Sequence, residues 1–334
     1  MKHALPPIFA FTLSALVLVA AFIFAEPISE AVTATESAAT DDAPLVAVPA
    51  PDSSDAKLRV NVLVKGETLN MTLADYLRGV TASEVPGTFY PEAIKAQAVA
   101  ARTNLYWKLA HTNPGHPSAD VCDDPAHCAA YATDSDLQEK WGGKYAELMP
   151  NIVSAVNATD GIVIRYNGDI IQAVFHSSGG GYTEDSGNVW TEQLPYLVTR
   201  ESPEGPASVP NFISEYAFTI NEFKRLATEK YPGISFDKGL LTNEERNAQS
   251  GRLLYVNLGD KRVSGTQLRL IYGLRSAMVN WTIDGNEIRL TTKGYGHGVG
   301  LSQYGANEFA RNGASYEDIL TYYYKGSVAS SYSS

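Results

Sequence analysis

Residues 4–25 carry no charged side chain and follow a single Lys2. At about 1.5 Å per residue, such a run as one helix reaches roughly 30 Å, the thickness of a bilayer's hydrocarbon core. This feature divides the chain first: one part suits lipid, and the rest must fold by itself in water. Two readings stand for 1–25, a retained single-pass membrane anchor and a cleaved signal ending at Ile23-Phe24-Ala25. The length of the run and the bulk of Ile23 favour the anchor. Either one delivers the remainder outside the cytoplasm.

Residues 26–56 hold seven acids (Glu26, Glu30, Glu36, Asp41, Asp42, Asp52, Asp55), four prolines and no Lys or Arg. Such a stretch buries too little to fold and repels itself, so a disordered acidic tether is expected. Removing its seven acids and Lys2 from the formal net charge of −11 leaves −5 for 57–334. A mildly acidic domain has no stripe for tracking phosphates, which argues against a nucleic-acid partner. Two cysteines cannot staple a region this long, so its stability must come from an apolar core.

Within 57–334, Leu58–Val64 alternates as a strand into a Lys65-Gly66 turn, and Thr72 with Asp75 reads as a helix cap. Pro91 fits the first turn of a longer helix to about Leu109, with Ile94, Ala98, Ala101 and Leu105 as its apolar stripe. Asn167-Gly168 between Ile162–Tyr166 and Ile170–Phe175 predicts a hairpin. Residues 211–290 mix a helix near Ile220–Lys230 with short strands and read as a subdomain. Strands and helices interleave without βαβ regularity. The expected class is α+β, helices and antiparallel strands around a substrate groove.

Four constellations bear chemistry. Glu84, in Ala82-Ser83-Glu84-Val85-Pro86-Gly87, is placed in a loop between two helices, where partial desolvation would keep it protonated as an acid. Arg102 borders the apolar stripe of the next helix and wants an anion, for which Glu84 is the candidate. His116, Cys122, His127 and Cys128 form a complete tetrahedral set for structural zinc in segment 111–131, with a disulfide as the competing reading in an exported protein. The last two are glycine-dense: His176-Ser177-Ser178-Gly179-Gly180-Gly181, and Gly294-Tyr295-Gly296-His297-Gly298-Val299-Gly300-Leu301-Ser302-Gln303-Tyr304-Gly305-Ala306. Their spacing matches neither a dinucleotide loop nor a serine-hydrolase elbow.

Together with Ser83-Glu84-Val85-Pro86 and Ala96-Gln97-Ala98-Val99-Ala100-Ala101-Arg102-Thr103, these motifs resemble the SpoIID family from about Leu58 to Lys325. The resemblance implies a lytic transglycosylase that cleaves the MurNAc–GlcNAc bond of denuded peptidoglycan strands, leaving 1,6-anhydro-MurNAc ends. It makes Glu84 the catalytic acid and base and Arg102 its partner. It offers Gln97, His176, Ser177, Tyr196, His297 and Gln303 as substrate-binding candidates, and it favours zinc over a disulfide. Val198 departs from the basic residue expected just past Tyr196. The implied setting is engulfment during sporulation, on the outer face of the cell membrane between mother cell and forespore. The implied partners are an engulfment complex and an amidase, stage II sporulation protein P. Two other classes compete: a zinc amidase or peptidase of the wall, and a non-enzymatic wall-binding protein or amidase activator.

Overall fold

The computed structural model describes residues 54–111, 116, 118–125 and 127–332. The expected anchor and most of the expected tether lie outside these residues. Among the described ones, no helix is long and apolar enough to cross a membrane.

The class is α+β, with ten α-helices or helical turns and fourteen short strands among the described residues. Folding begins earlier than the charge pattern suggests. Ser54–Lys57 forms a helical turn, and Asp160 caps it by accepting the N–H groups of Ser54 (2.9 Å) and Asp55 (3.0 Å). The end assigned to the tether is therefore part of the domain. A hairpin of Arg59–Val64 and Glu67–Thr72 follows, turned by Lys65 and Gly66, both at positive φ. Thr72 Oγ1 accepts the Asp75 N–H at 3.0 Å and starts the helix Leu73–Glu84, as its sequence predicts.

The helix Pro91–Ala110 is the centre of the molecule. The sequence offers one apolar stripe, but eleven residues spread around this helix are buried, from Ala93 to Leu105. Five of those are alanines, which let neighbours approach from every side, and a helix apolar all round belongs in a core. Ile152 of the helix Tyr145–Ala158, Ile164, Leu197, Leu301 and Leu320 pack in the same cluster as Ile94 and Val99.

Asn167 and Gly168 both take positive φ in the expected hairpin, but its second strand stops at Ile170. The other edge of Ile162–Tyr166 is taken by Val328–Ser331. The released chain runs on to Phe175–His176, which pairs in parallel with Leu301–Ser302. This pair and a second parallel one, between Val62-Leu63 and Val121-Cys122, depart from the expected antiparallel order. Each joins segments far apart in sequence.

Residues 213–293 make two antiparallel three-stranded sheets with the helices Ile220–Lys230 and Gly265–Ile271. These close on their own apolar cluster, including Phe223, Val256, Leu258, Leu268, Ile288 and Leu290. Gly294 N donates to Phe212 O at 2.8 Å, so the chain returns to the point it left.

Candidate active site

Glu84 is the last residue of its helix rather than part of a loop; Val85 leaves helical geometry and Pro86 follows. Its Oε1 accepts the Ala130 N–H and its Oε2 accepts Gln303 Nε2, each at 2.9 Å. Burial pushes this carboxyl above its ordinary range, against both hydrogen bonds and the positive charge of Lys140. The same burial lowers the Lys140 ammonium, which Glu84 partly offsets.

The glycine loops place Gln303. It opens the helix Gln303–Arg311, whose N-cap Ser302 accepts the Gly305 N–H at 3.3 Å. Ser302 Oγ in turn donates to the buried Glu204 at 2.9 Å, and Glu204 also accepts the Gly179 N–H at 2.7 Å. Tyr304 N donates to Ser177 O at 3.0 Å. Gln303 thus reaches Glu84 across 219 positions, and the 176–181 loop holds the segment that carries Gln303.

Arg102 is not Glu84's partner. It is fully buried and its Nε and Nη2 hold the buried Asp55, with a shortest contact of 2.6 Å. Its Nη1 donates to Ile162 O at 3.2 Å. The expected pairing fails because Asp55, the last acid assigned to the tether, reaches the arginine first. Arg102 thereby locks the start of the domain to its central helix.

The substrate-binding candidates separate. Gln303 touches Glu84, and the partly exposed Ser177 lies one backbone bond from Tyr304. Gln97 is buried in the core, and its amide oxygen and nitrogen have no hydrogen-bond partner. Tyr196 is a buried core ring whose hydroxyl accepts the Gln172 N–H at 3.1 Å. His297 has both nitrogens tied to backbone: Nε2 donates to Phe175 O (2.9 Å) and Nδ1 accepts the Val299 N–H (3.1 Å). Burial pushes its pKa down to about 4, so it stays neutral and braces the loop. His176 is also held well below the usual imidazole range by burial; its Nδ1 donates to Val299 O, and its Nε2 has no partner.

Two groups with no assigned role in the sequence organise the glycine loops. Glu184, fully buried, accepts from Asn188, Thr199, Asn247, Ser250 and the Asp185 N–H. Beside it Arg252 Nε lies 3.8 Å from Glu184 Oε2, while Nη2 donates to Gly179 O at 3.1 Å. Gly298 stands at φ 88°, and a β-carbon there would overlap the Arg252 guanidinium. Gly300, at φ 73°, faces the Val174 carbonyl at similar closeness. The alternating glycines are the space these contacts require. No local pattern marks Arg252, which lies 68 positions from its anion by chain numbering (184 to 252).

His116, Cys122, His127 and Cys128 bring one ligand atom each to within 4.8 Å of all the others, and both thiols are free. His116 Nε2 lies 3.4 Å from Cys128 Sγ, and His127 Nδ1 lies 3.5 and 3.7 Å from the two sulfurs. A tetrahedral zinc with bonds of about 2.3 Å to sulfur and 2.0–2.1 Å to nitrogen has S–N edges of roughly 3.5 Å. Those three sulfur–nitrogen distances match such edges. His116 Nδ1, 2.9 Å from Ala119 O, fixes Nε2 as the ligand atom. Ala130, which binds Glu84, follows Cys128 by two residues.

The SpoIID family model, described as Stage II sporulation protein, matches residues 65–166. Stage II sporulation protein D of Bacillus subtilis (strain 168) is 37% identical over 262 residues, covering 78% of this chain and 75% of that protein. The protein of the same name from Bacillus amyloliquefaciens is 37% identical over 258 residues, covering 77% and 74%. The Amidase enhancer of Bacillus subtilis (strain 168) is 28% identical, covering 77% of this chain and 40% of its own length. With the first of these identities sustained over most of both chains, the chain belongs to the SpoIID family.

Proposed function

We propose that this protein is a peptidoglycan lytic transglycosylase of sporulation with Glu84 as its single acid and base. One observation carries the reading: a carboxyl held by two neutral donors, Ala130 N–H and Gln303, and raised in pKa by burial. Protonated Glu84 gives its proton to the glycosidic oxygen as the C1–O bond of MurNAc breaks and the aglycone leaves. The carboxylate then takes the proton of the MurNAc C6 hydroxyl, whose oxygen bonds to C1 and closes the 1,6-anhydro ring. No water is consumed, so one carboxyl suffices where a hydrolase needs two. One group serving in both directions needs a pKa near the working pH, which burial supports.

Zinc on His116, Cys122, His127 and Cys128 would be structural, since four protein ligands leave no open position. That argues against the amidase or peptidase reading, in which the metal activates water. We further place the chain at the cell membrane through residues 4–25 as a single-pass anchor, with an amidase that strips stem peptides as its partner. The relative named Amidase enhancer supports a second reading, in which this chain assists an amidase without cutting glycan.

Incubation with denuded glycan strands and mass spectrometry of the products decides between these. Anhydro-ended sugars from wild type and none from Glu84→Gln are expected. Reducing ends would overturn the single-carboxyl mechanism. No product, with an amidase accelerated equally by both proteins, would favour the assisting role.

A further inference from the structure

We infer that Trp190 is the stacking platform of a glycan subsite, its exposed indole holding a pyranose ring of the strand that Glu84 cleaves. The inference rests on the transglycosylase reading and adds a specificity residue to it.

Trp190 is the one exposed tryptophan among the described residues, at 40% of its full exposure. An indole left in water costs apolar hydration unless a ligand covers it. It is also held in place. The backbone N–H of Trp190 donates to Ser186 O at 2.8 Å, and Ser186 Oγ accepts the Leu194 N–H at 2.7 Å, so the short loop carrying the ring is stapled at both ends. Its ring lies 5.2 Å from that of His297, tilted by 45°. His297 cannot swing away, because both its nitrogens are tied to backbone. A rigid exposed ring loses little freedom when a ligand covers it, which is what an aromatic platform needs.

Position points the same way. The His297 ring lies 5.4 Å from that of His176, and the neighbouring Ser177 O holds Tyr304 N. Tyr304 adjoins Gln303, which holds Glu84. Trp190 therefore caps a continuous line of contacts that begins at the catalytic carboxyl. A glycan strand must be gripped on both sides of the bond it yields, and a pyranose presents C–H faces that suit an indole face. Because the platform is uncharged and His297 neutral, the subsite recognises a sugar face and not an anion.

The full chain in detergent is titrated with a GlcNAc tetramer while tryptophan fluorescence is followed, and its KM and kcat are measured on denuded glycan. Trp190→Phe and Trp190→Ala are compared with wild type, each checked for an unchanged melting temperature. Quenching is expected in wild type and lost in Trp190→Phe, although Trp107, Trp141 and Trp281 remain. KM is expected to rise about tenfold in Trp190→Ala, the ~1.4 kcal/mol an aromatic contact carries, and to recover largely in Trp190→Phe, with kcat little changed. Equal KM and equal sugar affinity in Trp190→Ala would overturn the subsite, as would a fall in kcat alone. Quenching that depends on Trp190 without any anhydro product would sink the catalytic reading while keeping the subsite. Product formation with quenching independent of Trp190 does the reverse.

Discussion

A carboxyl that must give a proton and later take one back is tuned by a contest between burial and donors. At Glu84 burial wins, while Gln303 and the Ala130 N–H hold the rise in check by favouring the charged form. Replacing Gln303 with leucine keeps the site apolar and removes one donor. The pKa of Glu84 should then climb further. In the proposed reaction the rate depends on the protonated acid, so it falls as pH rises through that pKa. In Gln303→Leu the falling limb of kcat/KM against pH should accordingly move to higher pH; a limb that stays or moves down would exclude Gln303 as the restraint. The same contest has a stability side. The folded carboxyl binds its proton more tightly than the unfolded one, so folding weakens as pH rises between the unfolded value and the raised folded value. Glu84→Gln should therefore melt higher than wild type above that window and alike below it. The gain amounts to about 1.4 kcal/mol for each pH unit between the unfolded and folded values. Melting curves of the two proteins that run parallel at every pH would refute the raised carboxyl.

At the scale of elements, local chemistry was readable and long-range partnership was not. Thr72 as a cap, Pro91 at a helix start and Asn167-Gly168 as a turn all rest on neighbours within four positions, and all stand in the structure. Arg102 and Asp55 are 47 positions apart, and nothing local distinguishes Asp55 from the other acids of an acidic stretch. The meeting of His116, Cys122, His127 and Cys128 was legible because the four fall within thirteen positions; the use of Ala130 as a donor to Glu84 was not, since any residue but proline has an N–H. The Ser54–Lys57 turn yields a direct test. A fragment beginning at residue 57 leaves Arg102 buried without its anion, whereas one beginning at residue 52 keeps it. The shorter fragment should lose about 3–5 kcal/mol, the cost of an uncompensated buried charge, or fail to fold. Equal denaturation midpoints would refute the role of Asp55. The segment 116–128 gives another: with zinc bound, Cys122 and Cys128 should resist a thiol reagent and become reactive on chelation. Two thiols equally reactive before and after chelator would argue against the metal.

Across the whole molecule, the glycine loops join the central helical core to the unit formed by 213–293, and a buried ion pair, Glu184 and Arg252, spans that joint. Glu184 comes from the loop side and Arg252 from the unit, both with under 2% of their surface exposed. The pair is unequally provided for. Glu184 keeps donors from Asn188, Thr199, Asn247, Ser250 and Asp185 even when the arginine is gone. The Arg252 guanidinium has one hydrogen bond, to Gly179 O, and its Nε and Nη1 have none. Removing the acid therefore strands a buried cation and several donors together, while removing the cation leaves a carboxylate still solvated by protein. Glu184→Leu should destabilise well beyond Arg252→Met, by about 3–5 kcal/mol against about 1–3 kcal/mol. The double variant should fall short of the sum, because the stranded charge is absent from it. Because the two residues sit on opposite sides of the joint, Glu184→Leu should also let 213–293 exchange its amide hydrogens ahead of the helix Pro91–Ala110. Equal losses from the two single variants, with both regions still exchanging together, would mean that the joint is held by packing and the ion pair is incidental.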